Sequence, residues 1–304
     1  MGGTNLRAAA VDSNGRIIEK VTTNTQYSAG REAILGDIVT AIKAVREKVG
    51  EQGLLGVGIG IPGYIQIETG VLIGSANLPG LEGFPVRDAM QRVLGIPIVL
   101  ENDANAAALG EKWMGAGRGV KDLVLITLGT GIGGGIISDG RVLHGHLGMA
   151  GELGHMTVIP EGNPCGCGNC GCLEKHASAT AIVSMANLLQ LGQHVSAEDV
   201  YKMAVGGNER AQRCFESMGR ALGIALANLI NIFNFPLYLL SGGALAAWEL
   251  FEPSMIAEVR RRSYTFTRTP TRIEKAILGS TAGLFGAAYL PFQHHSLMND
   301  AVAR

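Results

Sequence analysis

Three glycine-rich turns, each set against a short apolar run, constrain this chain more than any other feature. Leu128-Gly129-Thr130-Gly131-Ile132-Gly133-Gly134-Gly135 lies between two apolar segments, Ser241-Gly242-Gly243-Ala244 follows the run Tyr238–Leu240, and Gly2-Gly3-Thr4-Asn5 leads into Leu6–Val11. A glycine turn at a strand end lets backbone N–H groups approach phosphate oxygens without a side chain in the way. Where such a turn opens a helix, as after Ser241, the helix dipole adds to the attraction. None of the three has the Walker pattern or the dinucleotide-binding GxGxxG context, which argues against P-loop and Rossmann chemistry. Glycine makes up 44 of 304 residues, about twice its usual share of roughly 7%.

Periodicity places these turns in an α/β framework. Leu6–Val11 and Arg16–Thr25 read as strands joined by Asp12-Ser13-Asn14-Gly15, a hairpin signal. Ile34, Ile38, Ile42 and Val45 recur at helical spacing within Arg31–Val49. Leu54–Ile61, Ile98–Leu100, Asp122–Leu128 and Tyr238–Leu240 read as strands. Val86–Leu94 and most of Ala177–Phe235 read as helices, with Ser196 as an N-cap. Hairpin strands followed by alternating strands and helices, seen twice, predict two α/β lobes. The expected division is residues 1–103, joined by a C-terminal helix at about 290–304, and residues 104–289. The hinge falls near Glu101–Ala104.

Composition narrows the function classes. A net charge of −1 gives no field to draw in nucleic acid or anionic membrane. Hydrophobic residues at 47% support a real core. The opening residues lack a basic segment followed by an apolar run, so a cytoplasmic protein is expected. Ala221–Trp248 carries no Asp, Glu, Lys or Arg apart from its flanks, yet Asn228, Asn231, Asn234 and Pro236 interrupt it. Such amides are costly in lipid, and a buried helix followed by a core strand is expected instead.

Four of the five cysteines fall between Cys165 and Cys172, a density that reads as metal binding rather than disulfides without export. Cys165, Cys167 and Cys172 stand at C-x-C-x4-C spacing, and His155 lies ten residues before the first. Three thiolates and an imidazole would complete a closed tetrahedral zinc site, although spacing alone leaves Cys170 open as a ligand. Elsewhere, Glu101-Asn102-Asp103-Ala104-Asn105 follows the strand Ile98–Leu100 and enters a helix of small residues. A carboxylate there suits the proton acceptor of a phosphoryl transfer. Asp103 could equally cap that helix.

The glycine-threonine turn at Gly2-Gly3-Thr4 and the run Gly129–Gly135 resemble the phosphate motifs of the actin, hexokinase and Hsp70 superfamily. Gly151-Glu152-Leu153-Gly154-His155, followed by Cys165-Gly166-Cys167-Gly168-Asn169-Cys170-Gly171-Cys172-Leu173-Glu174, resembles the ROK family, closest to its bacterial glucokinases. The resemblance implies a two-lobed actin-like (ribonuclease H-like) fold with ATP and sugar in the cleft, and often a homodimer. It assigns the catalytic base to Asp103. Sugar contacts go to Gly63, Asn77, Asn102, Asp103, Glu152, His155 and Glu174. Nucleotide contacts go to Gly2, Gly3, Thr4, Asn5, Gly129, Thr130, Gly131, Ile132, Gly133, Gly134, Gly135, Gly242 and Gly243. It selects His155, Cys165, Cys167 and Cys172 for a structural Zn2+, leaving Cys170 out, and it implies Mg2+ with the ATP.

Two departures stand out. Relatives often carry a tryptophan shortly after the asparagine matched by Asn77, and Leu81 holds that neighbourhood here. Relatives also begin with an apolar strand ending in Asp-x-Gly-Gly-Thr, whereas this chain reads Met1-Gly2-Gly3-Thr4. The expectation is a first strand missing through a late start. The expected activity is ATP-dependent phosphorylation of glucose at its 6-hydroxyl. N-Acetylmannosamine, N-acetylglucosamine, fructose or mannose are alternative substrates and polyphosphate an alternative donor. The rival from another class is a ROK transcriptional repressor, a sugar-sensing DNA-binding protein, and a non-catalytic sugar sensor is a further alternative. No nucleic-acid or membrane partner is expected.

Overall fold

The computed structural model describes residues 5–24, 30–50, 52–75 and 77–302. The chain forms two compact units, one assembled from three segments and the other from two. The first comprises Met1–Lys121, Gly135–Ala150 and Ile277–Arg304, and the second Asp122–Gly134 and Gly151–Ala276.

In the first unit β1 (Asn5–Val11) and β2 (Ile17–Asn24) form the expected antiparallel hairpin. Helix α1 (Arg31–Val49) buries Ile34, Ile38, Ala41 and Val45, the stripe its periodicity defines. Strand β3 (Val57–Ile61) pairs in parallel with β7 (Ile98–Asn102). Between them lie β4 (Tyr64–Gln66), β5 (Val71–Gly74) and β6 (Phe84–Pro85), a small antiparallel sheet, and α2 (Val86–Leu94). Leu6, Ile34, Ile61, Leu72, Leu81, Met90 and Leu100 share one core.

Helix α3 (Asp103–Met114) begins directly at the end of β7. Its run of small residues admits the last helix, α9 (Ala282–Val302), at backbone distance. A methyl on Gly286 would sit 1.6 Å from the Ala106 carbonyl oxygen, and one on Gly110 would sit 2.0 Å from that of Ala282. Trp113 closes the contact among the rings of Phe285, Tyr289 and Phe292. The buried Glu111 carboxylate accepts the N–H groups of Ile277, Leu278 and Ala116 at 3.2, 2.7 and 3.0 Å, fixing the entry to α9. These ties place α3 inside the first unit, so Glu101–Ala104 is not a boundary between units and the helix after Asp103 stays with residues 1–103. The C-terminal helix starts at Ala282, earlier than the expected position near 290.

The second unit opens with β8 (Leu123–Leu128); β9 (Ile132–Ser138) starts there and continues into the first unit, where Ile137 and Ser138 pair with β10 (Arg141–Val142). Helices α4 (Glu174–Ala177), α5 (Ala179–Leu188), α6 (Ala197–Val205) and α7 (Glu209–Phe233) follow. Ser196 caps α6 in a reciprocal box with Asp199. Strand β11 (Leu237–Ser241) is fully buried and parallel to both β8 and β12 (Arg272–Lys275). The uncharged run beginning at Ala221 is a buried helix. Gly219 and Gly223, one turn apart on α7, admit the carbonyls of Phe251 and Met255 on α8 (Trp248–Arg262) within 2.5 Å of where a methyl would stand. Asn234 ends α7 in the left-handed conformation. Among the described residues no helix is long and apolar enough to cross a membrane.

Close approach at Gly286 leads to a direct test. Gly286→Ala is expected to lower stability by about 1–3 kcal/mol, the usual cost of overpacking. It should move the urea midpoint down at unchanged slope; a wild-type midpoint would show that α3 and α9 can separate freely.

Candidate active site

Asp103 is the first residue of α3, and it does not cap that helix. The cap is Asn102, whose side-chain oxygen accepts the N–H groups of Ala104 and Asn105 at 2.8 and 3.2 Å. Its amide nitrogen donates to the Gly63 carbonyl at 3.1 Å. Asn102 is thereby held at both ends, and Asp103 is released from capping. One Asp103 carboxylate oxygen accepts the Ala104 N–H at 3.0 Å. Burial pushes its carboxyl above the usual carboxylate range, and the Ala104 N–H offsets this only in part.

This hydrogen bond brings Gly63 and Asn102 together. Gly63 is at φ 125°, and a methyl there would stand 2.5 Å from the Gly74 carbonyl oxygen. Ser75, buried beside it, donates to the Pro62 carbonyl at 2.7 Å and accepts the Leu78 N–H at 3.1 Å. This pins the segment carrying Asn77, which is exposed. Leu81 is fully buried in the core of the first unit. Its side chain fills the interior and does not replace a pocket-wall tryptophan.

The second unit holds the glycine turns at the carboxyl ends of β8 and β11, where open α/β sheets bind ligands. The run Gly129–Gly135 is not one loop. Only Gly129–Gly131 lies outside the strands, because β9 begins at Ile132. The Gly129 N–H donates to the Gly131 carbonyl, that of Ile132 to Glu174 and that of Gly133 to the Thr127 hydroxyl, all at 3.0–3.1 Å. Within this turn the N–H groups of Thr130 and Gly131 have no acceptor among the described residues. Gly134 and Gly135 answer packing needs: a methyl would stand 2.4 Å from Leu153 at Gly134 and 2.7 Å from Ala108 at Gly135. Gly242, at φ 101°, passes close to the Leu128 carbonyl, which draws the two turns together, and Gly243 beside it has open space. Gly2, Gly3 and Thr4 lie outside the described residues, and Asn5 opens β1.

Glu174 does not act as a helix cap. Its carboxylate reaches back 42 residues to the Ile132 N–H, and a methyl on Gly131 would collide with it at 2.4 Å. Thr180 donates to the Thr130 carbonyl at 2.7 Å, and the Ala179 N–H to that of Gly129 at 2.9 Å. Sequence reasoning missed Thr180, which no spacing rule marks. It also missed His144, whose ring meets the Glu101 carboxylate at 2.7 Å.

His155, Cys165, Cys167 and Cys172 converge, with their donor atoms all within 4.8 Å of one another. The Cys167 and Cys172 sulfurs are 3.7 Å apart, and the Cys165 sulfur is 3.6 Å from His155 Nδ1. Four ligands on a tetrahedral zinc, with Zn–S near 2.3 Å, require sulfur–sulfur edges of about 3.8 Å, so the donor set fits the ion. Cys170 is exposed and outside the cluster. Burial pushes the Cys172 thiol up to about 12, and the sulfurs of Cys167 and Cys165 add to it. Only a bound cation would make a thiolate favourable there. With Nδ1 toward the sulfurs, His155 Nε2 lies 4.0 Å from the Glu152 carboxylate.

The chain belongs to the ROK family, whose model matches residues 1–294. Within that family it is similar to the glucokinase of Halalkalibacterium halodurans, 36% identical over 98% of this chain and 95% of that protein. It is also similar to a xylose repressor of Caldicellulosiruptor bescii, 32% identical over 90% of this chain and 71% of that protein. Its fold matches the ROK hexokinase of Thermus thermophilus at a TM-score of 0.86, with 35% identity and 97% of each chain covered. It matches the ROK glucokinase of Streptomyces griseus, solved with glucose and AMPPNP, at 0.79, with 35% identity over 96% of this chain and 97% of that one. The fold is therefore the two-lobed actin-like ATPase fold of these sugar kinases.

A raised carboxyl in the folded state makes its charge a cost at any pH above the unfolded value; below that value both states are protonated and the cost is gone. Asp103→Asn is therefore expected to raise the melting temperature at neutral pH. The gain should shrink as the pH falls into the ordinary carboxylate range. A drop in melting temperature at pH 7 would mean that the charge is satisfied in place.

Proposed function

We propose that this protein transfers the terminal phosphoryl group of ATP to the 6-hydroxyl of a hexose, with glucose the preferred acceptor. The observation that carries this reading is the state of Asp103: desolvated, raised and excused from capping by Asn102. A base held so accepts the hydroxyl proton as the sugar oxygen bonds to phosphorus and the bond to the ADP oxygen breaks. The N–H groups of Thr130 and Gly131, without an acceptor among the described residues, would meet phosphate oxygens whose charge changes during transfer. Magnesium arrives with the nucleotide and neutralises phosphate charge. Glu152, His155, Asn77 and the Gly63 turn offer groups for sugar hydroxyls, in keeping with the likeness to glucokinases.

We also read His155, Cys165, Cys167 and Cys172 as the ligands of a structural zinc. It would staple a glycine-rich loop that has no core of its own. It would also hold His155 with Nε2 free for a hydroxyl. All four positions would be filled by protein, so no water-activating chemistry belongs to it. The reading places the enzyme in the cytoplasm, where ATP is supplied, and carries a homodimer as an expectation from the family.

Coupled ADP release with Mg-ATP, tested on glucose, mannose, fructose, N-acetylglucosamine and N-acetylmannosamine, checks the activity. Glucose is expected to lead, and folded protein silent on every sugar would overturn the enzyme in favour of a sensor. For Asp103→Asn, turnover should fall by at least about 100-fold, the low end for loss of a general base. Because a base must be unprotonated, the acid limb of kcat/KM should lie above the pH of an ordinary aspartate. A limb at the ordinary value would remove Asp103 from that role. Metal analysis should give about one zinc per chain. Chelation should lower the melting temperature, and Cys167→Ser should reproduce the loss; full stability without metal would refute the site.

A further inference from the structure

Glu101 is a buried carboxylate that phosphoryl transfer does not itself use. It stands at the end of β7, two residues before Asp103, and is 2% exposed. One oxygen accepts the Asn102 N–H at 2.9 Å and the Asn105 side-chain amide at 3.0 Å. The other accepts from His144 Nε2 at 2.7 Å, its one partner among the described residues. A carboxylate only accepts, so the shared proton sits on Nε2. Asn105 is 3% exposed, and its side-chain oxygen has no partner among the described residues. Its amide is therefore oriented by Glu101 alone, at the cost of an unpaired acceptor.

We propose that His144 is a positioning residue for phosphoryl transfer: it anchors the Glu101 carboxylate, which in turn fixes the Asn102–Asp103 turn. The proposal rests on the reading of Asp103 as the base. Two of the three Glu101 partners lie one and four residues away and move with it. His144 is 43 residues distant and ties the group to a different segment. That segment is closely determined. The Ala150 N–H donates to the His144 carbonyl at 2.9 Å. Gly145 and Gly148 adopt φ 65° and 75°, and a methyl on Gly148 would stand 2.1 Å from the Ile65 carbonyl oxygen. The half-buried ring thus sits on a fixed backbone and shields the carboxylate from water. Without the donor, that oxygen must seek another partner. Rotation toward one withdraws the first oxygen from the Asn102 N–H, next to the reacting aspartate. Displacements of about 1 Å at such a group cost roughly 100-fold in rate.

The experiment compares kcat and KM for His144→Phe, which keeps a ring without a donor, and His144→Gln, which keeps an N–H at a similar reach. Asp103→Asn is the reference, and melting temperatures are recorded for all. The Phe variant should lose roughly 10- to 100-fold in kcat with KM for ATP within about twofold, and the Gln variant should recover most of it. Equal activities for Phe and Gln at similar melting temperatures would overturn the proposal, since the ring would then only fill space. So would a loss expressed wholly in KM. Turnover retained in Asp103→Asn would instead defeat the base assignment, whatever the His144 pair shows.

Discussion

The carboxamide of Asn102 settles what its neighbours can do. A helix entering straight from a buried strand leaves N–H groups that some side chain must satisfy. Had Asp103 taken that task, its charge would be spent on more of these N–H groups than the Ala104 one that it already accepts, and its carboxyl would be pulled further down. Asn102 takes it instead, accepting both N–H groups while donating to Gly63. A neutral cap carries no charge that would compete with a reacting hydroxyl. The aspartate that follows is left partly desolvated and raised, which is the condition a proton acceptor needs. The strand-to-helix turn and the Pro62-Gly63 turn are then one hydrogen-bonded unit.

Glycine has two different uses in this chain, and the sequence shows only their sum. Gly131 belongs to a turn at a strand end, and its amide has no acceptor among the described residues, whereas Gly134, Gly135, Gly219, Gly223 and Gly286 make room for neighbouring backbone or side chains. A run of glycines therefore reads as one loop in sequence, although most of it is strand and packing surface. The distinction depends on which atom lies opposite each α-carbon, and no local pattern carries that information.

Elements with strong periodicity or capping chemistry were legible in advance. Arg31–Val49, Val86–Leu94, the Ser196 cap and the β1–β2 hairpin appear where residue spacing puts them, because local interactions dominate there. The Cys3His cluster was legible through ligand spacing, and geometry separates Cys170 from it where spacing could not. Long-range pairings were not legible. Glu174 to Ile132, Glu111 to Leu278 and His144 to Glu101 span 42, 167 and 43 residues. The division into units is not legible for the same reason: it is set by the approach of α9 to α3, and small residues on a helix do not say what they will face.

The return of α9 to the first unit also imposes an order of assembly. The second unit is complete at Ala276, and β1, β3, β7 and α3 are all synthesised well before it. Yet α3 must keep its glycine-and-alanine face uncovered until residues beyond Ile277 have left the ribosome. Contacts this distant in sequence close slowly, since the chain between them must first be organised. The later-made unit can finish folding first, and the earlier-made one, which bears Asp103, acquires its final packing last.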